Sequence, residues 1–233
     1  MLREDFIKEL LTVYAPVAVL SEKNDCKVWR LRNKSIEKDL ILRSFPKPVE
    51  AYKSLLHIRC DHLPEVYDVF DVEDGQIVLE EFVDGLTVAQ AMETGKYRYA
   101  GAKKVLQGVC RGLQVIHQRN IVHRDVKPEN VMVTTEGRVV LIDLNASRVA
   151  TGASKDTVVM GTVGYASPEQ LGVSHSDART DIYAAGVLLN VMLTGKHPTE
   201  EFAPGRAGRI VRKCTALHPG DRYQSAQKLY NSL

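Results

Sequence analysis

His123-Arg124-Asp125-Val126-Lys127-Pro128-Glu129-Asn130 puts a carboxylate, a cation and a side-chain amide into one short loop. Lys127 is a compact point charge. Asn130 offers a neutral oxygen of the kind that hard divalent cations accept. Pro128 fixes φ and stiffens the turn between them. Upstream, residues 102–118 carry an apolar stripe of Val105, Val109, Leu113 and Ile116 at helical spacing, and Asn120 helps to end that helix. Downstream, Val131-Met132-Val133 and Val139-Val140-Leu141-Ile142 read as strands. Thr134-Thr135-Glu136-Gly137 joins them, with Gly137 supplying the turn. Such a hairpin returns the chain so that Asn130 and Asp143 face one cavity. An isolated Asp or Lys would read as a solvated loop residue. Eight residues in this order, with Asp143 beyond the hairpin, do not.

This stretch resembles the catalytic loop of protein kinases, whose pattern is long enough to be specific. Phosphoryl transfer from ATP needs metal ions on phosphate oxygens, a positive charge near the moving group and a carboxylate that orients the attacking hydroxyl. The resemblance implies that Asp125 is the catalytic base and Lys127 the lysine typical of Ser/Thr-type members. It implies Asn130 and Asp143 as ligands of Mg²⁺ or Mn²⁺, and so as binders of the ATP phosphates. His123 would pack against the metal-binding segment. Where the family has Phe-Gly after Asp143, this chain has Leu144-Asn145. Leucine keeps an apolar plug, and Asn tolerates left-handed backbone angles.

Toward the N-terminus, residues 5–11 read as a short amphipathic helix with Phe6, Leu10 and Leu11 on one side. Residues 17–20, 27–32 and 39–45 read as strands. The family's glycine-rich turn is replaced by Ser21-Glu22-Lys23-Asn24-Asp25-Cys26, without glycine. Arg43 stands in the place of the ATP-contacting lysine; it either holds phosphates or is an ordinary strand-end arginine. A helix is expected over residues 49–59, and Glu50 matches the carboxylate that pairs with the strand cation. Glu50 reads equally as a favourable charge in a first helical turn. Residues 65–71 and 76–81 read as a hairpin around Glu73-Asp74-Gly75. The following segment resembles the strand into the kinase hinge, where adenine would bond to backbone near Glu81 to Val83. Glu80 falls where a hydrophobic residue usually guards the nucleotide pocket. A lone carboxylate is costly to bury there. Either it pairs with Arg43, or the register shifts by one and Glu80 faces water.

Gly85 marks a lobe boundary, and residues 86–92 read as a short helix. After Asp143, residues 146–161 are small and polar, with Thr151, Ser154 and Thr157 as candidate phosphoacceptors and Arg124 as a candidate receiver of phosphate. Gly161-Thr162-Val163-Gly164-Tyr165-Ala166-Ser167-Pro168-Glu169 resembles the family's peptide-docking stretch. There Thr162 would contact Asp125 and Lys127, and Glu169 would pair with Arg222. A helix apolar nearly all round opens at Asp181 and ends at Gly195, with Asp181 anchoring the catalytic-loop backbone. Helices over residues 210–217 and 225–233 would complete the chain.

The 233 residues carry net charge +2 and 44% hydrophobic residues. That is ordinary for a globular protein, with nothing that marks a nucleic-acid or membrane surface. Four cysteines without CxxC spacing argue against a zinc site or disulfide framework and fit a reducing, cytoplasmic setting. No apolar run reaches the length of a membrane span, and the N-terminus lacks a signal-peptide profile. The expected fold class is therefore α+β: one kinase-like domain over 1–233. It has two lobes, a small antiparallel β N-lobe (about 1–84) and a mainly α-helical C-lobe (about 85–233). The expected function is ATP-dependent phosphorylation of Ser or Thr in a protein substrate. A pseudokinase acting as a nucleotide-binding or regulatory module is the alternative, drawing on the missing glycines, Arg43 and Asn145. A kinase of small molecules fits less well with the peptide-docking stretch.

Overall fold

The computed structural model describes residues 1–23, 25–149, 162, 164–171 and 175–233. The chain divides into two compact units, Met1–Cys60 with Pro64–Val83, and Asp61–Leu63 with Asp84–Leu233.

The first unit is a five-stranded antiparallel sheet in the order β1-β2-β3-β5-β4. Its strands are β1 (Tyr14–Lys23), β2 (Cys26–Asn33), β3 (Asp39–Phe45), β4 (Val66–Val72) and β5 (Gly75–Glu81). Strand side chains alternate between faces. Leu40 and Leu42 of β3 share a core with Leu31, Ile77, Leu79 and Ile7 of helix α1 (Arg3–Val13). Ile41 and Arg43 take the opposite face. Two features differ from the sequence expectation. Ser21, Lys23 and Cys26, expected in a six-residue turn, lie in strands, with Lys23 paired to Cys26. Arg3 holds this turn through its Nη2, 2.6 Å from Asp25 Oδ2. Helix α2 (Glu50–Leu55) has six residues rather than the expected span to Arg59. Leu56 leaves it to bridge Val66, and His57 adopts φ 59°, which stops the helix.

The second unit is mainly helical. Strand β6 (Gly85–Thr87) includes Leu86, expected in a helix; α3 (Val88–Glu93) begins after a capping box between Thr87 and Gln90. Helix α4 (Tyr99–His117) buries the predicted stripe. Strand β7 (Ile121–Val122) leads into the central loop. Strands β8 (Val131–Thr134) and β9 (Val139–Leu141) form the predicted hairpin, with Val131 opposite Leu141 and Gly137 at φ 80°. Residues 61–63 join this unit because the His62 carbonyl accepts from Leu141 N–H at 3.0 Å and Arg138 Nε donates to the Asp61 carbonyl at 2.8 Å. Strand β10 (Arg148–Val149) pairs with β7. Helix α5 (Ala178–Thr194) is capped by Asp177 and closed by Gly195 at φ 73°. Helix α6 (Gly205–Cys214) starts and ends earlier than the expected 210–217. The Arg222 guanidinium donates to the Ala216 and Leu217 carbonyls and holds the chain just past the helix end. Helix α7 (Ala226–Ser232) is capped by the Ser225 hydroxyl.

Candidate active site

The loop between β7 and β8 is fixed from below by Asp181, a fully buried carboxylate on the first turns of α5. Its Oδ2 accepts from His123 N–H at 2.9 Å and lies 2.8 Å from His117 Nε2, and its Oδ1 accepts from Arg124 N–H at 2.8 Å. The Arg124 backbone needs this support because it holds φ 69°. A left-handed non-glycine residue costs about 1–2 kcal/mol.

His123 is also fully buried. Asp125 N–H donates to its Nδ1 at 3.3 Å, so its proton sits on Nε2, which donates to the Ile142 carbonyl at 3.2 Å. Burial pushes its pKa down despite nearby Asp181, Asp125 and Asp143. A neutral imidazole therefore ties the central loop to the end of β9, next to Asp143. That is a structural role.

Asp125 collects four contacts from three side chains. Thr162 Oγ1 donates to its Oδ1 at 2.7 Å, Asn130 Nδ2 donates to its Oδ2 at 2.8 Å and to its carbonyl at 2.9 Å, and Lys127 Nζ lies 2.8 Å from Oδ2. Lys127 Nζ also donates to Thr162 Oγ1 at 2.7 Å. Burial alone would raise the Asp125 pKa; the hydrogen bonds from Lys127 and Thr162 outweigh it and hold the carboxyl below its usual range. The acid is ionised and aimed, with a cation at its side.

Asn130 closes a 3-10 turn (Pro128–Asn130) before β8. Its carbonyl accepts from Ile142 N–H at 2.9 Å, which extends the hairpin by one rung toward Asp143. The donor end of its amide is spent on Asp125, so the amide oxygen remains for an external ligand. Asp143 supplies a carboxylate. Two hard oxygens fit Mg²⁺, which typically takes one or two protein carboxylates and completes its shell with water and substrate phosphate. Among the described residues no cluster of three His, Cys, Asp or Glu side chains forms a protein-only cage. The left-handed residue at this turn is Asp143 itself, at φ 68°, and not Asn145 as the sequence suggested. Asn145 N–H instead donates to Asp143 Oδ1 at 3.3 Å, and Leu144 is buried.

Gln170 links the turn at Ser167 to this loop. Its Nε2 donates to the Arg124 carbonyl at 2.9 Å, and its Oε1 accepts from Ser167 N–H at 3.0 Å. Sequence reasoning missed it, along with His117; a single polar residue on a short turn carries no periodic signal. Thr151, Ser154, Thr157, Gly161 and Val163 lie outside the described residues, as does Asn24.

In the first unit, the sheet register places Ile41 opposite Glu80, so Arg43 and Glu80 are diagonal neighbours on one face. Arg43 Nε donates to Glu80 Oε1 at 2.6 Å, with side chains 9% and 4% exposed. Glu50 is not the partner of Arg43: its side chain is 61% exposed and lies 3.6 Å from Lys53 Nζ, so the first-turn reading holds. Glu81 N–H is spent on the Glu65 carbonyl at 2.9 Å, which removes that donor from any adenine contact. Val83 follows the end of β5, outside the strand ladder. A double-mutant cycle on Arg43→Met and Glu80→Leu, read by urea unfolding, is expected to show a coupling energy of about 1–3 kcal/mol, the double variant being more stable than either single one. Additive effects would mean that the pair is not coupled.

The sequence matches the family described as Protein kinase domain over residues 21–228. It is 33% identical over 200 residues to a probable serine/threonine-protein kinase PknB of Corynebacterium glutamicum, covering 70% of this chain and 31% of that protein. It is 30% identical over 225 residues to a probable serine/threonine-protein kinase of Clostridium perfringens, covering 83% of this chain and 32% of the other. To the serine/threonine-protein kinase PknL of Mycobacterium tuberculosis it is 33% identical over 192 residues, covering 70% of this chain and 48% of that one. The matched region thus spans about a third to a half of these relatives. With the match running from β1 into α7 and the loop from His123 to Asn130 built as described, the chain belongs to the protein kinase superfamily as a Ser/Thr-type member.

Proposed function

We propose that the chain transfers the γ-phosphate of ATP to Ser or Thr hydroxyls of a protein substrate, using Mg²⁺ or Mn²⁺. The observation that carries this reading is the Thr162 hydroxyl joined to both Asp125 and Lys127 at 2.7 Å. It fastens the peptide-docking stretch to the acid and the cation that the reaction needs. Asp125 accepts a hydrogen bond from the incoming hydroxyl and takes its proton. Lys127 is placed to offset charge on the moving phosphoryl oxygens. Asn130 and Asp143 hold the divalent cation, which neutralises phosphate charge when bound. In the first unit, Arg43 is assigned to the α/β-phosphates, and the backbone from the Glu81 carbonyl to Val83 N–H to adenine. The relatives are named as serine/threonine kinases, which supports the substrate class. The cysteines carry no disulfide, and among the described residues no helix is long and apolar enough to cross a membrane. We assign the kinase domain to a cytoplasmic setting on the pattern of its four cysteines, which lack CxxC spacing.

The test is incubation with labelled ATP, Mg²⁺ and a generic protein substrate, beside Asp125→Asn and Asp143→Asn. Label on the substrate in the wild type, absent from both variants, is expected. No label, together with no metal-dependent nucleotide shift in melting, would leave a binding module.

A further inference from the structure

Helix α6 carries Arg206, Arg209, Arg212 and Lys213 and no acidic residue. All four are exposed, while Ala207, Gly208, Ile210, Val211 and Cys214 are buried. At about 100° per residue, the four cations occupy about a third of the helix circumference. Among the described residues none of the four is in an ion pair, whereas Arg3, Arg32, Arg43, Arg59, Arg179 and Arg222 each have a carboxylate partner. The acid nearest in sequence, Glu201, is taken by Lys196 at 2.9 Å.

Helix stability does not explain this face. Arg206 sits in the first turn, where a cation opposes the helix dipole; only Arg212 and Lys213, in the last turn, complement it. Arg206/Arg209, Arg209/Arg212 and Arg209/Lys213 are like-charge pairs at spacings of three or four, which destabilise a helix. Packing accounts for part of the set. Arg206 Nη2 donates to the Ser232 carbonyl at 2.9 Å. Arg212 lies 4.3 Å from the Phe202 ring centre and Lys213 lies 4.7 Å from that of Tyr223. These rings hold the cations in place and leave them exposed, and among the described residues Arg209 has no such contact.

We propose that the outer face of α6 docks a short acidic segment of a partner protein. The occupant follows from charge and shape. The row from Arg206 to Lys213 rises about 10 Å along one helix, which suits a run of a few carboxylates. It is narrow for a nucleic-acid backbone. A polybasic face alone holds a bilayer only weakly and needs a second anchor; Phe202 and Tyr223 lie under Arg212 and Lys213, which leaves Leu217 as the one exposed large apolar side chain close by in sequence among the described residues. The docking does not depend on phosphoryl transfer.

The test uses the full chain and a fluorescein-labelled octaglutamate peptide, read by anisotropy at low salt. Saturable binding is expected, weakening at least about tenfold in Arg209→Ala/Arg212→Ala/Lys213→Ala and strengthening as salt is lowered. Lys103→Ala/Lys104→Ala on α4 is expected to bind as the wild type does. Thermal melting checks that the triple variant is folded, and Arg209→Glu alone provides a second, milder reversal of charge. Equal binding by wild type and Arg209→Glu overturns the proposal. So does binding to phosphatidylserine vesicles or single-stranded RNA with none to the peptide.

Discussion

Asp125→Asn is expected to lower kcat by about 10²–10⁴-fold, the range that a positioned general base contributes, with little change in the KM for ATP. Asparagine keeps the shape, but its amide cannot accept from Thr162, Asn130 and Lys127 together. The variant should fold, because the loop backbone is held by Asp181 and not by Asp125. The pH profile adds a second readout. Burial raises the Asp125 pKa and the Lys127 and Thr162 hydrogen bonds lower it by more, so the carboxyl titrates below its ordinary 3.8. Asp125 therefore stays ionised as pH falls through the weakly acidic range. Any acid-side loss of kcat above about pH 5 must come from another group. An acid limb near neutrality that disappears in Asp125→Asn would show that the carboxyl is not held in its charged form.

The parts of this fold that were legible in the sequence are those with a local period or a fixed order. The stripe of α4, the β8–β9 hairpin and the run from His123 to Asn130 each write their structure into neighbouring residues. The pairing of Glu169 with Arg222 was readable only through resemblance, since no local pattern joins residues so far apart. Where the reading failed, the deciding contact was distant or the backbone was unusual. Residues 56–59 keep helical spacing, but the bridge from Leu56 to Val66 wins. The partner of Arg43 depends on sheet register, and a slip of one residue would turn Glu80 to the other face. Gln170 and His117 act through a few side-chain bonds to distant residues and leave no trace in composition. The left-handed backbone fell on Asp143 rather than Asn145 because the hairpin rung between Asn130 and Ile142 fixes where the chain must turn.

Arg222→Ala is expected to lower the unfolding free energy by about 3–5 kcal/mol, measured by urea denaturation, because it strands a buried carboxylate. Arg222 and Glu169 have side chains 0% and 4% exposed. The guanidinium places Nη1 at 2.6 Å from Glu169 Oε1 and Nη2 at 2.9 Å from Oε2. It gives its remaining bonds to the carbonyls of Ala216, Leu217 and Arg179. One residue thus holds the chain just after α6, the start of α5 and the turn that carries Glu169. Lysine cannot reproduce this planar fork, so Arg222→Lys should recover only part of the loss. The pH dependence has a definite sign. Burial raises the Glu169 pKa, but Arg222 lowers it further, to a net value below 4.5. Its contribution is present above that pH and is lost as acid drives pH through the folded-state value. Without Arg222 the same buried carboxyl prefers its proton, so acid helps the variant where it harms the wild type. The stability gap between the two should therefore be widest above pH 4.5 and narrow as pH falls. A gap independent of pH would mean that the loss comes from the three carbonyl bonds and not from the charge.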